Sequence, residues 1–229
     1  MAFTPPPASA GQCKGVPFDK AINTAAENKA GFDAFDQSAA GKTDPSKCKA
    51  LLAFPDDTAI FWSSKMAIDA DGPAAGPGRP SGSKLDTGSG QDDTSLHFSN
   101  GKGLPSETIP YIVLPGGSFR ANTGLALGDV AVVIFGDKIT AAICGDMGPT
   151  KKIGEGSIRV HEALHPPAPD PCIRDGSGFC RRIHNVSIDE DVLYFVFPGS
   201  SFDGMEAATL EARIKERAFS LFNKLRGVT

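Results

Sequence analysis

The chain has 229 residues, of which 40% are hydrophobic, and a formal net charge of −4. This length suits one domain that buries a sizeable core. No apolar run reaches the roughly 18 residues of a membrane span, and the acidic balance argues against nucleic acid as a partner while mildly favouring a cationic ligand. We therefore expect a monomer that binds neither nucleic acid nor membrane.

Its 26 glycine and 18 proline residues predict many turns and long connections, which favours a β-rich body over a helical bundle. We expect one domain over residues 1–229, with a mobile Pro/Ala/Ser-rich segment at 1–12, a core at 55–200 and a C-terminal helix at 205–226. Apolar residues at helical spacing support that helix, and Gly227 ends it.

Five apolar stretches have the length and composition of β-strands. They are residues 58–69, which form a strand or a hairpin, and residues 108–114, 130–135, 138–143 and 192–197. Gly136-Asp137 predicts a hairpin turn between the third and the fourth, and Pro110 places the second at a sheet edge or at a bulge. Residues 70–91 are polar, and a segment of this length without regular structure is usually functional or disordered.

The cysteines indicate an oxidising compartment. Cys172 and Cys180 enclose a short polar loop whose closure by a disulfide is natural outside the cell. Cys13 and Cys48 can pair to tie down the N-terminal segment, which leaves Cys144 in an apolar strand. The alternative, a zinc site, lacks the Cys-x-x-Cys or paired histidine spacing that such sites use.

The N-terminal sequence has no basic region and no apolar core of a signal peptide. We therefore expect a mature secreted chain whose leader has been removed, with Met1 left by expression. The expected location is extracellular.

The segment from Cys144 to Ser157 contains two acids, Asp146 and Glu155, nine residues apart in a glycine-rich turn. A strand-like apolar run leads into the turn, and another, residues 157–160, leads out of it. Two acids on one rigid loop between strands are the equipment for general acid/base cleavage of a glycosidic bond. The alternative is structural, because an aspartate in a Gly-Asp-x-Gly-Pro turn often caps its own backbone.

The segments Gly145-Asp-Met-Gly-Pro149 and Ile153-Gly-Glu-Gly-Ser-Ile-Arg-Val160 resemble the central motif of the fungal chitosanases, glycoside hydrolase family 75. Met66-Ala-Ile-Asp-Ala-Asp-Gly72 resembles the Asp-rich signature of that family, and Thr108-Ile-Pro-Tyr-Ile-Val-Leu-Pro115 is similar to its strand signature. The resemblance covers roughly residues 55 to 200, and its motifs are specific in combination.

This resemblance implies a mainly β fold with flanking helices, built on a six-stranded double-psi β-barrel with long loops. It implies endo-acting hydrolysis of the β-1,4 bonds of chitosan with inversion, and the two essential acids of the family fall on Asp146 and Glu155. By analogy with related barrels, Glu155 is the general acid and Asp146 the base that positions water. No cofactor and no metal are implied.

Chitosan carries an ammonium group on each deacetylated sugar, so the cleft should display further carboxylates. Asp69 and Asp71 are the best candidates for binding chitosan or glucosamine oligosaccharides, since alternate side chains at a strand end point to one side. A calcium loop or a plain turn is the alternative, although later oxygen ligands are not evident. Tyr111 and Trp62 are candidates for stacking on sugars, with core packing as the other interpretation.

The main functional alternative is a non-hydrolytic, barwin- or expansin-like wall-binding protein on the same barrel. Such a protein needs a flat aromatic platform, and one Trp and two Tyr supply it poorly. A secreted protease inhibitor is a third class, but five cysteines in 229 residues are too few to be its scaffold. Chitin or cellulose could replace chitosan as the polymer that is cleaved.

Overall fold

The computed structural model describes residues 22–23, 50–54, 58–150, 152–184 and 186–227. The segment 1–12, which we predict to be mobile, and the predicted Cys13–Cys48 pair lie outside these residues.

Ten strands and four helices make up the described chain. The strands are β1 (Ile22–Asn23), β2 (Ala50–Ala53), β3 (Ile60–Asp69), β4 (Tyr111–Leu114), β5 (Val130–Phe135), β6 (Lys138–Met147), β7 (Glu155–Ser157), β8 (Cys172–Arg174), β9 (Cys180–Ile183) and β10 (Ile188–Val196). The helices are α1 (Gly82–Leu85), α2 (Phe119–Thr123), α3 (Ile158–Leu164) and α4 (Leu210–Leu225).

Six of these strands close a barrel in the order β3, β10, β5, β6, β4, β7, and β7 pairs back with β3. The pairs β3–β7 and β4–β6 are parallel, and the other four pairs of the ring are antiparallel. Strands β1 and β2 extend the sheet from the first half of β3, while β8 and β9 form a separate two-stranded sheet. The predicted mainly β fold, with a closed six-stranded barrel and a C-terminal helix, is confirmed.

Alternate residues along the barrel strands separate into two apolar clusters, as the two-residue period of a strand requires. One cluster includes Trp62 and Tyr194, whose stacked rings have centroids 5.1 Å apart. The other includes Phe195 and is covered by α4, which contributes Ile214 and Phe222 from its buried stripe. A helix about 10 Å across cannot lie inside so small a ring, so the second cluster is on the outside of the barrel. Trp62 is therefore a core residue, with 1% of its surface exposed.

The predicted hairpin of β5 and β6 is confirmed with its turn at Gly136-Asp137, where Gly136 has a φ of +57°. Residues 58–69 contain one long strand rather than a hairpin. The C-terminal helix begins at Leu210, later than residue 205, because the backbone before it forms turns in which Glu206 N donates to Gly204 O and Thr209 N donates to Glu206 O.

The predicted edge position of the second strand and the predicted strand at residues 158–160 are wrong, while the alternative for the second strand, a bulge, lies two residues after Pro110. Strand β4 begins after Pro110 and lies between β6 and β7, so it is not an edge strand, and its irregularity falls between Ile112 and Val113. Residues 158–160 open helix α3 instead of continuing a strand. The hydroxyl of Ser157 accepts from the amide of Val160, and this cap turns the chain from β7 into the helix.

The polar segment 70–91 is braced by the hairpin of β8 and β9. The predicted Cys172–Cys180 disulfide is confirmed and closes this hairpin. Arg181 of β9 donates to Gly78 O at 2.6 Å, and the guanidinium of Arg79 lies 3.9 Å from the ring centre of Phe179. The disulfide-closed hairpin thus supports the segment that follows β3.

Among the described residues, no helix combines the length and the apolar character needed to cross a membrane.

Replacing Cys172 and Cys180 together by alanine should lower the free energy of unfolding by roughly 2–3 kcal/mol, because the open chain gains loop entropy. Chemical denaturation of the double variant measures the loss. The matched control is Ile173→Ser, an exposed position in the same hairpin, which should change stability by less than about 0.5 kcal/mol. A double variant as stable as the wild type would show that the hairpin holds without its disulfide.

Candidate active site

Asp146 and Glu155 lie on strands that flank β4, rather than in the turn between two strands as the sequence predicts. Asp146 is the penultimate residue of β6 and Glu155 the first of β7. The register sets Val113 beside Asp146 on one side and Ile112 beside Gly156 on the other, which brings Glu155 next to Val113. Two strand spacings therefore separate the backbones of the two acids, about 9–10 Å.

Ser95 fixes the carboxylate of Asp146 from a distant part of the chain. Asp146 Oδ1 accepts from Ser95 N at 2.9 Å, from Ser95 Oγ at 2.5 Å and from Met147 N at 2.7 Å. Three donors aimed at one oxygen suit an anionic carboxylate and orient it, so that Oδ2 is left for other partners.

Glu155 is 6% exposed and is anchored by the barrel backbone around it. Gly154 has a φ of +82°, and a Cβ at this position would lie 2.3 Å from Lys65 O, so a side chain is excluded. The carbonyl of Gly154 accepts from Ala67 N at 2.9 Å, which locks β7 onto β3. Lys152 Nζ reaches Glu155 Oε1 at 2.5 Å.

Asp69 and Asp71 stand at the end of β3 and in the turn after it. Asp69 Oδ1 accepts from Asp71 N at 2.8 Å, and Asp71 Oδ1 accepts from Gln91 N at 2.7 Å. The phenol oxygen of Tyr111 lies 2.8 Å from Asp71 O and 3.2 Å from Asp69 Oδ1. Since Tyr111 is 0% exposed, its ring has no face to offer to a sugar, and it touches the site through its hydroxyl.

Carboxylate oxygens of Asp69, Asp71 and Asp146 lie within 4.8 Å of one another. So close a group of acids suits a positively charged guest, either a divalent cation or an ammonium group. A calcium ion takes about 6–8 oxygen ligands, whereas the described residues bring three carboxylates together here. We assign no metal to the cluster.

Burial and mutual repulsion raise the pKa values of Asp69 and Asp71. Burial, followed by the charges of Asp71, Glu155 and Asp146, raises the pKa of Asp69 well above its usual value. Burial also raises the pKa of Asp71 to about 6, against the hydrogen bond from Gln91 and with help from the neighbouring carboxylates. The site therefore changes charge in the mildly acidic range.

The pKa of Glu155 is also raised, chiefly by burial, although the positive charges of Lys152 and Lys65 oppose the effect. A buried carboxyl group of this kind holds its proton to higher pH than a free one, which is the property of a general acid. Asp146 is equally buried but accepts hydrogen bonds from three donors.

Two serines hold the strand ends that carry the acids. Ser106 Oγ donates to Asp69 O at 2.5 Å and accepts from Ile158 N at 2.9 Å. Ser157 Oγ donates to Ile109 O at 2.9 Å and accepts from Tyr111 N at 3.1 Å. The side chains thus connect β3, β4 and the start of α3.

His161 follows Glu155 closely in sequence but does not contact it in any recorded bond. Its Nε2 lies 3.2 Å from Ala67 O, and burial lowers its pKa to about 4. A neutral ring that donates to this carbonyl is a structural histidine.

Ser95 and Lys152 are site residues that the sequence analysis missed. Ser95 is 51 positions from Asp146, so no local pattern connects the two. Lys152 precedes Glu155 by three residues, and this spacing of opposite charges was the one signal in the sequence that pointed to the pair.

Comparison with known proteins supplies the family. No curated protein matches the chain. The model of one family, described as fungal chitosanase of glycosyl hydrolase group 75, matches residues 66–228, which include every acid of the site. The chain therefore belongs to the fungal chitosanase family of glycosyl hydrolases, group 75.

Proposed function

We propose that the chain is a secreted endo-chitosanase that cleaves β-1,4 bonds with inversion, with Glu155 as general acid and Asp146 as general base. The family supports a chitosan-hydrolysing glycosidase. The observation that carries the assignment is the pair of buried acids on β6 and β7, held in contrasting environments on either side of β4. We further propose that the barrel is of the double-psi type, supported by its two parallel pairs among antiparallel ones.

An inverting glycosidase needs its carboxyl groups about 6.5–9.5 Å apart, so that a water molecule fits between one of them and the sugar. The two strand spacings between Asp146 and Glu155 are compatible with that range. In the proposed step Glu155 gives its proton to the leaving oxygen as the glycosidic C–O bond breaks. Water adds to the anomeric carbon from the other face and gives a proton to Asp146.

We assign the binding of chitosan ammonium groups to Asp69 and Asp71, with Tyr111 as a positioning residue under them. The cluster gains negative charge above pH about 6, where Asp71 ionises, and it is reachable because Asp71 is only half-buried. The family substrate is a polycation. The hydroxyl of Tyr111 fixes the turn through Asp71 O. Extracellular location is proposed from the family and from the Cys172–Cys180 disulfide.

Glu155→Gln and Asp146→Asn should each lower kcat on chitosan by about 10²- to 10⁴-fold, since each removes proton transfer. Release of soluble oligosaccharides measures the loss, and proton NMR of the first product should show the α-anomer. A substrate with an activated leaving group should rescue Glu155→Gln alone. Rescue of Asp146→Asn would exchange the roles, and a chain that binds chitosan without releasing sugars would be a wall-binding protein.

Ser95→Ala should lower kcat about tenfold with little change in KM, because Asp146 keeps two backbone donors but loses its hydroxyl partner. The matched control is Ser89→Ala. The hydroxyl of Ser89 donates to Asp86 at the surface of the polar segment 70–91. Equal effects of the two substitutions on kcat would argue against a role for Ser95 in holding the base.

Asp71→Asn should raise KM for chitosan severalfold, while its amide oxygen still accepts the Gln91 bond. The effect should fade below pH about 6, because the wild-type Asp71 takes up a proton there and loses its charge as well. KM measured from pH 4 to pH 8 at two salt concentrations tests this, with the exposed Asp137→Asn as control. A KM difference that persists unchanged at pH 4 would contradict a charge-based role.

A further inference from the structure

The contact between Lys152 and Glu155 blocks the group to which we assign the acid role. Lys152 Nζ lies 2.5 Å from Glu155 Oε1, and the lysine side chain retains 24% of its exposed surface against 7% for the glutamate. The carboxyl group is therefore in direct contact with a cation that is more exposed to solvent than the carboxyl group itself.

The second oxygen of Glu155 lies next to Gly148. A Cβ at Gly148 would lie 3.1 Å from Glu155 Oε2 and the same distance from Val113 Cγ1. Oε1 is the oxygen that Lys152 contacts, so proton donation from Oε1 requires the lysine to move. Lys152 occupies the approach to Oε1.

The two partners differ in how firmly they are held. Glu155 belongs to β7, which pairs with β3 and with β4. Lys152 lies in the loop before that strand, outside any regular element, and reaches Glu155 through its flexible four-carbon stem. When the pair breaks, the lysine is the member that moves.

The ammonium of Lys152 and the ammonium of a deacetylated sugar have the same chemistry. Sugars held at Asp69 and Asp71 bring further positive charge to the cleft, which repels Lys152 from it. Asp86, in the polar segment 70–91, is another carboxylate that interacts electrostatically with Lys152.

We propose that Lys152 is a removable counter-ion that stabilises the ionised form of Glu155 in the free enzyme and is displaced by the ammonium groups of bound chitosan. Displacement frees Oε1 and favours the uptake of a proton from solvent by Glu155 when substrate is present. This inference rests on the proposed function, because it requires Glu155 to be the general acid. Lys152 is a positioning residue in this scheme, since it acts on the acid and not on the sugar.

Other charges also face Glu155. Lys65 on β3 adds positive charge, and Asp146 on β6 adds negative charge. Asp69 and Asp71, at the end of β3, also interact with Glu155. Lys152 contacts Glu155 directly and has a larger electrostatic effect on its pKa than Lys65 or Asp146, so its removal should change the titration of Glu155 most.

The test compares pH profiles, because the basic limb of kcat/KM reports the free enzyme and that of kcat reports the substrate complex. Lys152→Met should move the limb of kcat/KM upward by about one pH unit, since an adjacent opposite charge lowers a carboxyl pKa by about 1–3 units. The basic limb of the kcat profile should stay at its wild-type pH, and KM for chitosan should fall. Lys152→Arg keeps the charge and should retain the wild-type limb.

The matched control is Lys138→Met, at the far end of β6, where the lysine pairs with Asp137 at 3.8 Å. It should leave both limbs in place. Equal movement of the two limbs in Lys152→Met would mean that the lysine stays paired during turnover, and no movement would mean that it does not hold Glu155. Either result overturns the inference.

A second readout does not depend on hydrolysis. Carbon-13 NMR of the full chain follows the Glu155 carboxyl group with and without the glucosamine disaccharide, a product of the proposed reaction. Its titration should move upward on addition in the wild type and should not move further in Lys152→Met. If this shift occurs but chitosan is not cleaved, the proposed function fails alone; if chitosan is cleaved but neither readout moves, the inference fails alone.

Discussion

The closure of the barrel by the three-residue strand β7 is the constraint on which the site depends. This strand pairs in parallel with β3 and antiparallel with β4, so the ring and the position of Glu155 are fixed by the same backbone bonds. Gly154, just before the strand, has no room for a side chain. Ser157, at the end of the strand, donates to Ile109 O and caps α3. Loss of this pairing would open the barrel and release the acid together.

The acidic groups of the site lie where the barrel shields them from water. Asp69, Asp146 and Glu155 are each less than a tenth exposed, and Asp71 is half-buried beside them. Burial of like charges is unfavourable unless donors or cations compensate. Ser95 compensates one acid with hydrogen bonds, and Lys152 partly compensates another with charge. In the proposed function a polycationic substrate supplies the remaining compensation.

Patterns of short range were predictable. The β5–β6 hairpin, the C-terminal helix and the Cys172–Cys180 bridge each follow from residues within a few positions of one another. The errors arose where the chain meets distant parts of itself. Pro110 suggested an edge strand because its missing N–H cannot join a ladder, but the strand starts one residue later and is paired on both sides. Residues 158–160 are apolar enough for a strand and become a helix because Ser157 caps it.

The sequence by itself predicted the mainly β class and the family, because these depend on residue types at fixed spacing, and it supplied Asp146 and Glu155 as the proposed catalytic acids. It also indicated that Asp69 and Asp71 accompany Asp146 and Glu155. Only the tertiary structure decided how these residues meet. The register of β6, β4 and β7 sets the two acids about two strand spacings apart, and chain closure over long separations brings in Ser95, which no local pattern contains. The tertiary structure also buries Tyr111 and brings Lys152 into contact with Glu155, because burial and charge contact are properties of the folded chain.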